Sequence, residues 1–244
     1  MSNWSKHVFL HIPKTAGTTL TSIIARNYSD SEIVRLYEPA HFEEQMIEGL
    51  KSDSAKMLFG HFPYVNHLND SYIYVFTFLR DPILRTISTY IHLKNSPDSL
   101  HKKWMKDVKE FPDFLKMPQA FNWQVRHLSG QKYKDDFGRD LNASLAMAEE
   151  NLERMNVVGI TERFNDSLFC ISADLRWNKL WHQNQNVRSN NNEAQLIYEK
   201  YYEEIIAENT FDFKLYELGN RLLDHRLSQT STLEKLQFSA RKLF

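Results

Sequence analysis

Cysteine is almost missing from this chain: Cys170 is the single one in 244 residues. One cysteine excludes an internal disulfide framework and suits a reducing compartment. It lies in the apolar stretch SLFCIS, which favours an inert core thiol over a reactive one. The sequence also has no paired Cys/His cluster and no His-Glu-x-x-His motif, so no metal site is expected.

Long apolar runs are missing as well. No stretch of about eighteen apolar residues occurs, so no transmembrane segment is predicted. The first predicted strand starts at Lys6 or His7, which leaves no room for a signal peptide before it. We therefore expect a cytoplasmic protein.

Neither sign of charge is in excess. Thirty basic and 31 acidic residues give a formal net charge of -1, so no global field favours nucleic acid or an anionic membrane as a partner. With 42% hydrophobic residues, a chain of this length buries roughly 70 to 75% of its unfolded surface. No repeat or low-complexity block divides it, so one domain over residues 1–244 is expected.

The stretch FLHIPKTAGTTL, residues 9–20, carries the first positive signal. An apolar run ends at Leu10, a loop of small side chains follows Lys14, and Leu20, Ile23 and Ile24 then recur at helical spacing. This pattern predicts a strand, a tight loop and a helix. The first N–H groups of such a helix lie at the positive end of its dipole and bind phosphate well.

The loop therefore reads as a phosphate-binding site. Gly17 permits close approach of the backbone, the threonines add hydroxyl donors, and Lys14 adds a positive charge. The candidate phosphate-binding residues are Lys14, Thr15, Ala16, Gly17, Thr18 and Thr19. The alternative is a loop that merely joins a strand to a helix.

The loop differs from the P-loop of nucleoside triphosphatases. That motif, G-x-x-x-x-G-K-[ST], has its lysine directly before the Ser or Thr that binds magnesium. Here no glycine stands about four residues ahead of Gly17, and Lys14 precedes the turn. An ATP-dependent phosphotransferase is therefore a poor fit, although it stays open as a rival.

Further strands are predicted at AKMLFGHF, SYIYVFTFL and NVVGI, with helices between them. Asp81 and Pro82 mark a helix start, and Ile83, Ile87 and Ile91 mark its core-facing side. Strands that alternate with helices predict an α/β fold with a mostly parallel β-sheet and helices on both faces. Residues 95–140 are expected to form an insert of short helices and loops, and residues 228–244 a C-terminal tail.

Ligands of such sheets bind at the carboxyl ends of the strands. The loop after the first strand, the pair Gly60-His61, and Arg80 all follow predicted strands, so we expect them at one edge. Arg80 and Ser88 are predicted to hold a second phosphate, and Arg85, Ser88 and His92 to share one stripe of their helix. The alternative for Arg80 is an ion pair with Asp81 or another nearby carboxylate.

His61 is the candidate general base. A neutral imidazole accepts a proton from a hydroxyl because the ordinary pKa of an imidazole lies near neutrality. Most lone histidines are structural or exposed, and that alternative stays open here. The position of His61 at a strand end favours it over His11, which we expect to be a core or supporting residue.

Together, FLHIPKTAGTTL and FTFLRDPILRTISTY resemble the sulfotransferases that use 3'-phosphoadenosine 5'-phosphosulfate (PAPS). The resemblance is to the branch that contains the heparan sulfate and uronyl 2-O-sulfotransferases and their bacterial relatives. FGHFPY, FNWQVRHLSG and VVGITERFNDSL resemble further segments of that branch, so the similarity covers roughly residues 7–189 in pieces. It implies a P-loop-like sheet with a helical insert on the acceptor side.

The resemblance also implies roles for residues. Lys14 to Thr19 would hold the 5'-phosphosulfate, Arg80 and Ser88 the 3'-phosphate, and His61 would be the base for transfer to a hydroxyl. No metal would be needed. The segment QNVRSN, with Asn186 and Arg188, resembles loosely a loop that closes over the nucleotide. Residues expected near the acceptor or cofactor are Asn122, Gln124 and Arg126.

Departures from the branch leave the acceptor open. The membrane anchor and the several cysteines of its Golgi members are missing here, which argues for an acceptor inside the cell, such as a glycan or glycan precursor. The lysines around the insert would either face an acidic acceptor or coat a solvated surface; they are Lys94, Lys102, Lys103, Lys106 and Lys109. A non-catalytic nucleotide- or glycan-binding module is a further rival, and the oligomeric state is left open.

Overall fold

A computed structural model describes residues 4–38, 40–130, 140–181, 192–230 and 238. Its strands are β1 (Lys6–Leu10), β2 (Ile33–Leu36), β3 (Met57–Gly60), β4 (Ile73–Leu79) and β5 (Val157–Ile160). Its helices are α1 (Gly17–Asn27), α2 (Phe42–Lys51), α3 (Pro82–Lys94), α4 (Ser99–Trp104), α5 (Phe111–Leu115), α6 (Trp123–Leu128), α7 (Leu141–Glu153), α8 (Phe164–Leu175), α9 (Asn192–Glu208) and α10 (Thr210–Ser228).

The strands form one sheet in the order β2-β3-β1-β4-β5, and every neighbouring pair is parallel. Leu10 of β1 pairs with Gly60 on one side and with Thr77 on the other, while Leu36 pairs with Gly60. The strands therefore end close together, and the loops that follow them start from the same edge. The predicted parallel sheet is confirmed; β2 was missed.

Both faces of the sheet are covered. All seven residues of β4 are buried. Because successive side chains of a strand point to opposite faces, this burial requires cover on both faces. On one face the Tyr74 hydroxyl donates to Asp174 of α8 at 2.9 Å. On the other, Gly219 of α10 packs against Leu79 and Val158. The predicted helices on both faces are confirmed.

Helix α3 leads away from the sheet into a second apolar cluster. Asp81 caps it by accepting a hydrogen bond from the backbone N–H of Leu84, with Pro82 at the first position, as predicted. The predicted core side is also confirmed, since it is buried in this cluster. The cluster contains Ile83, Ile87, Ile91, Phe111, Phe114, Ile197 and Ile205.

The predicted insert contains the short helices α4, α5 and α6, joined by turns. Helix α4 packs against α3, α5 against α9, and α6 against α7 and α10. In the part of the chain that the structure describes, no helix is both long and apolar enough to cross a bilayer.

His7 makes the stability of the fold sensitive to acid. Its Nδ1 lies 2.7 Å from the Tyr28 hydroxyl, which also accepts a hydrogen bond from Trp177 Nε1 at 3.0 Å. Burial, and secondarily the charge of Lys56, lowers the pKa of His7 to about 4. Between pH 6.5 and about 4 the unfolded chain therefore binds the proton more readily, so stability falls as the pH falls through this window.

We expect His7 to account for roughly 2 to 3 kcal/mol of the stability lost between pH 7 and pH 4. The variant His7→Gln should lose correspondingly less over that range, measured by urea unfolding at both pH values. His67→Gln, at an exposed position, should behave like the unmodified chain. An equal loss in His7→Gln and the unmodified chain would show that another group titrates.

Candidate active site

A cleft of about 1460 Å³ opens where the strands end. Residues that follow β1, β3 and β4 share its wall, together with side chains of α3 and α6. The sequence-predicted residues that line it are Lys14, Ala16, Gly17, Thr18, Thr19, His61, Arg80, Ser88 and Arg126. The structure thus brings most of the predicted site into one space.

The loop between β1 and α1 has an unusual backbone. Lys14 and Ala16 have positive φ angles of 72° and 65°. This left-handed conformation costs a residue with a side chain about 1 to 2 kcal/mol. Thr15 lies between them, fully buried, and its hydroxyl donates to the Ile12 carbonyl at 2.7 Å. Its side chain therefore braces the loop and does not line the cleft.

The start of α1 suits an anion. Within the described residues, no side chain caps this helix at Ala16, and its first turn carries no acidic residue. The leading N–H groups of a helix lack internal acceptors and lie at its positive end. A loop that alternates into the left-handed region also turns successive N–H groups toward one concave side. Lys14 adds its charge to this concave surface.

Gly17 is needed where His11 approaches the helix. A Cβ at residue 17 would lie 1.8 Å from His11 Nε2, so any larger residue would displace that ring. His11 also stacks on Phe9, with ring centroids 5.1 Å apart, and is 8% exposed. His11 therefore supports the loop, as predicted, and also forms part of the cleft wall.

His61 follows β3 at a point where two strands come very close. A Cβ at Gly60 would lie 1.9 Å from the Leu36 carbonyl oxygen, and the His61 N–H donates to that oxygen at 3.1 Å. The His61 ring lies 4.4 Å from the ring of His11 and 4.8 Å from that of Tyr37. Two aromatic neighbours therefore fix the imidazole in the cleft wall.

Tyr37 was missed in the sequence. It follows β2 directly and lines the cleft, and its hydroxyl lies 3.5 Å from His11 Nδ1. The rule that selected His61 and Arg80, a position just after a strand, would have selected Tyr37 if β2 had been recognised.

Arg80 links the two predicted phosphate sites. Its Nη1 donates to the Lys14 carbonyl at 3.1 Å, and its Nε lies 3.7 Å from Glu162 Oε1. Burial lowers the pKa of the Arg80 guanidinium, while Glu162 and Asp81 oppose this shift. The ion pair considered as an alternative thus exists with Glu162, and Arg80 nevertheless lines the cleft.

The predicted stripe on α3 is wrong in one member. Ser88 and His92 line the cleft, but Arg85 is fully buried and donates to the Gln119 carbonyl at 2.9 Å. Burial lowers the pKa of Arg85 to about 10. Helical spacing alone misplaced Arg85 because α3 is buried on more than one side, and one of these buried sides contains polar residues.

The three residues predicted near the acceptor lie at different depths. Arg126 lines the cleft, with its guanidinium 5.9 Å from the centre of the Trp123 ring. Asn122 and Gln124 are buried behind the wall, where Asn122 caps α10 and Gln124 contacts Arg80. Asn186 and Arg188, predicted to cover the nucleotide, lie outside the described residues.

The insert contributes a largely aromatic wall. The residues it places in the cleft include Leu100, His101, Trp104, Gln119 and Trp123. The five lysines are exposed instead, do not line the cleft, and one of them, Lys94, pairs with Glu193 at 2.7 Å. For these lysines the structure favours the solvated surface over contact with an acidic acceptor.

Acidic and histidine side chains do not gather into a metal site in the described ranges: no group of three or more His, Cys, Asp or Glu is placed to hold an ion. The acids of the cleft wall already have partners. Glu162 accepts from the Tyr216 hydroxyl at 3.1 Å and from the Asp81 N–H at 3.3 Å, while Asp166 pairs with Arg163. Burial, and secondarily the charge of Glu162, raises the pKa of Tyr216 to about 12.

Residues 1–219 match the profile of the sulfotransferase family. The match spans most of the chain, and the chain therefore belongs to the sulfotransferase family. This confirms the family predicted from the motifs, without assigning the chain to the 2-O branch.

Comparison with solved structures adds a more distant likeness. Mouse sulfotransferase SULT7A1 complexed with PAP is 14% identical, with coverage of 95% of this chain and 88% of that one and a TM-score of 0.43. A TM-score below 0.5 does not establish a common fold, so the assignment rests on the family match. No curated protein sequence matches the chain.

Proposed function

We propose that this sulfotransferase moves the sulfuryl group of PAPS to a hydroxyl of a carbohydrate acceptor. The observation that carries the proposal is the hydrogen bond from Arg80 Nη1 to the Lys14 carbonyl at 3.1 Å. It joins two cationic elements, the loop of Lys14 and the residue Arg80, in one cleft whose wall also contains His61. A donor with phosphate groups at both the 3' and the 5' position of its ribose needs two such elements.

The residues of the cleft fit this donor. The uncapped start of α1 and Lys14 would hold the 5'-phosphosulfate, and Arg80 and Ser88 the 3'-phosphate. The cleft volume of about 1460 Å³ exceeds the 300 to 1,000 Å³ typical of small-molecule sites, which leaves space for an acceptor. PAPS would supply the activated sulfuryl group.

His61 would act as the general base. It would take the proton of the acceptor hydroxyl while that oxygen bonds to sulfur and the bond from sulfur to the bridging phosphate oxygen breaks. Lys14 and the first N–H groups of α1 would stabilise the charge that remains on the phosphate. His11 and Tyr37 would hold the imidazole in orientation.

The acceptor would lie against the insert. Trp104, His101 and Trp123 present rings to the cleft, and Arg126 adds a positive charge beside them. Rings of this kind pack well against the apolar face of a sugar, and an arginine binds a carboxylate. A glycan or glycan precursor of the type used by the 2-O branch suits this wall. A cytoplasmic location stays a prediction from the sequence.

The experiment is transfer of labelled sulfur from PAPS to a panel of uronate-bearing sugars, neutral sugars, phenols and small alcohols. We expect label in the sugars, independent of added magnesium. Label only in phenols would contradict the carbohydrate acceptor. Transfer of labelled phosphate from ATP, without transfer of labelled sulfur from PAPS, would favour the phosphotransferase rival.

A further inference from the structure

Arg80 directly follows β4, and Asp81 separates it from the start of α3 at Pro82. One side chain pairs with both backbone groups of Arg80. The Arg80 N–H donates to Gln124 Oε1, and Gln124 Nε2 donates to the Arg80 carbonyl, each at 2.9 Å. A carboxamide offers one acceptor and two donors, so it pairs here as a neighbouring strand would. Gln124 is fully buried, 44 residues away in the sequence.

The helix that carries Gln124 is itself fixed by mutual capping. Asp212 of α10 accepts from the N–H groups of Gln124 at 3.1 Å and Val125 at 2.8 Å. In return, Asn122 Oδ1 accepts from the N–H groups of Phe211 and Asp212, each at 3.0 Å. The backbone N–H groups in the first turns of α6 and α10 are thus hydrogen-bonded by buried side chains from the start of the other helix. This leaves Gln124 little freedom to move.

We propose that Gln124 is a positioning residue that sets the direction of the Arg80 guanidinium toward the 3'-phosphate of the donor. This inference rests on the proposed function. Gln124 holds the backbone N–H and carbonyl of Arg80, from which the guanidinium extends. The guanidinium Nη1 donates to the Lys14 carbonyl. Without these two hydrogen bonds, Arg80 is free to shift, and a displacement of about 1 Å is enough to weaken a directed contact.

A merely structural role predicts a different result. If Gln124 only stabilised the fold, its loss would lower the melting temperature without changing the preference for adenosine 3',5'-bisphosphate (PAP) over AMP. These two nucleotides differ only by the 3'-phosphate. A positioning role instead predicts that this preference falls while the affinity for AMP is kept.

The test is calorimetric titration of PAP and AMP into the unmodified chain, Gln124→Met and Asn151→Ala. Methionine has nearly the size of glutamine and removes both hydrogen bonds to Arg80. Asn151 of α7 is the control. Its Nδ2 donates at 2.8 Å to the carbonyl of Leu128 in α6, the helix that carries Gln124, and makes no hydrogen bond to Arg80. We expect the preference for PAP to fall about tenfold in Gln124→Met, with AMP affinity within about twofold, and no change in Asn151→Ala.

A cycle with Arg80→Ala completes the test. Because Gln124 acts through Arg80, Gln124→Met should have no further effect on PAP affinity once Arg80 is alanine. A full preference for PAP in Gln124→Met would overturn the inference and leave the proposed function standing. No preference for PAP in the unmodified chain would instead overturn the proposed donor site. If Gln124→Met does not fold, Gln124→Asn, too short to reach both groups, decides by the same readout.

Discussion

Replacing His61 by glutamine is expected to lower the turnover number for sulfuryl transfer by about 10²- to 10⁴-fold. Glutamine keeps a polar side chain between His11 and Tyr37 but does not accept the proton of a hydroxyl as an imidazole does. The affinity for PAP should stay within about twofold, because the base acts on the acceptor. The measurement is the initial rate with labelled PAPS beside a PAP titration.

The control for His61→Gln is His92→Gln. His92 also lines the cleft but is exposed on α3, and its loss should change the rate by less than about threefold. Unchanged turnover in His61→Gln would remove His61 as the base. Loss of turnover together with an equal loss of PAP affinity would indicate a damaged donor site instead.

The second large effect is expected from Lys14→Met. Lys14 lies in the strained loop at the start of α1 and lines the cleft. In the proposed reaction, charge builds at this loop on the departing phosphate oxygen. A contact that strengthens in the transition state contributes more to turnover than to binding of the spent nucleotide. We expect turnover to fall about 10²- to 10³-fold, and PAP affinity by less than about tenfold.

Turnover and PAP affinity, measured on the same preparations, separate the two contributions of Lys14. Lys51→Met, which removes an exposed positive charge at the end of α2, is the matched control and should retain full activity. Equal losses of turnover and of PAP affinity in Lys14→Met would show a binding contact with no special part in the reaction.

Much of this site was readable from the sequence because parallel strands end at one edge. The apolar runs of β1, β3 and β4 are distinct, so Lys14, His61 and Arg80 followed from the positions after them. The strand β2 was not distinct: it has four residues, with Arg35 exposed in the middle. Missing this strand also hid Tyr37.

Other features depend on packing that spacing does not encode. Arg85 is charged and has the helical spacing of a cleft residue, yet its side chain is fully buried and donates to the Gln119 carbonyl. Gln124 and Asp212 are distant in sequence, and their contact arises only when α6 and α10 meet. The spacing of residues along a helix does not predict which distant polar group a side chain will contact.

The most direct test of the donor site is thermal unfolding with PAP, with AMP and with magnesium-ATP. At a hundred times its dissociation constant a ligand adds about 2.7 kcal/mol of stability. For a domain of this size that raises the melting temperature by roughly 5 to 11 °C. With all three nucleotides at the same concentration, we predict a shift of this size with PAP and a clearly smaller one with AMP and with magnesium-ATP. A shift with magnesium-ATP alone would contradict the sulfotransfer account.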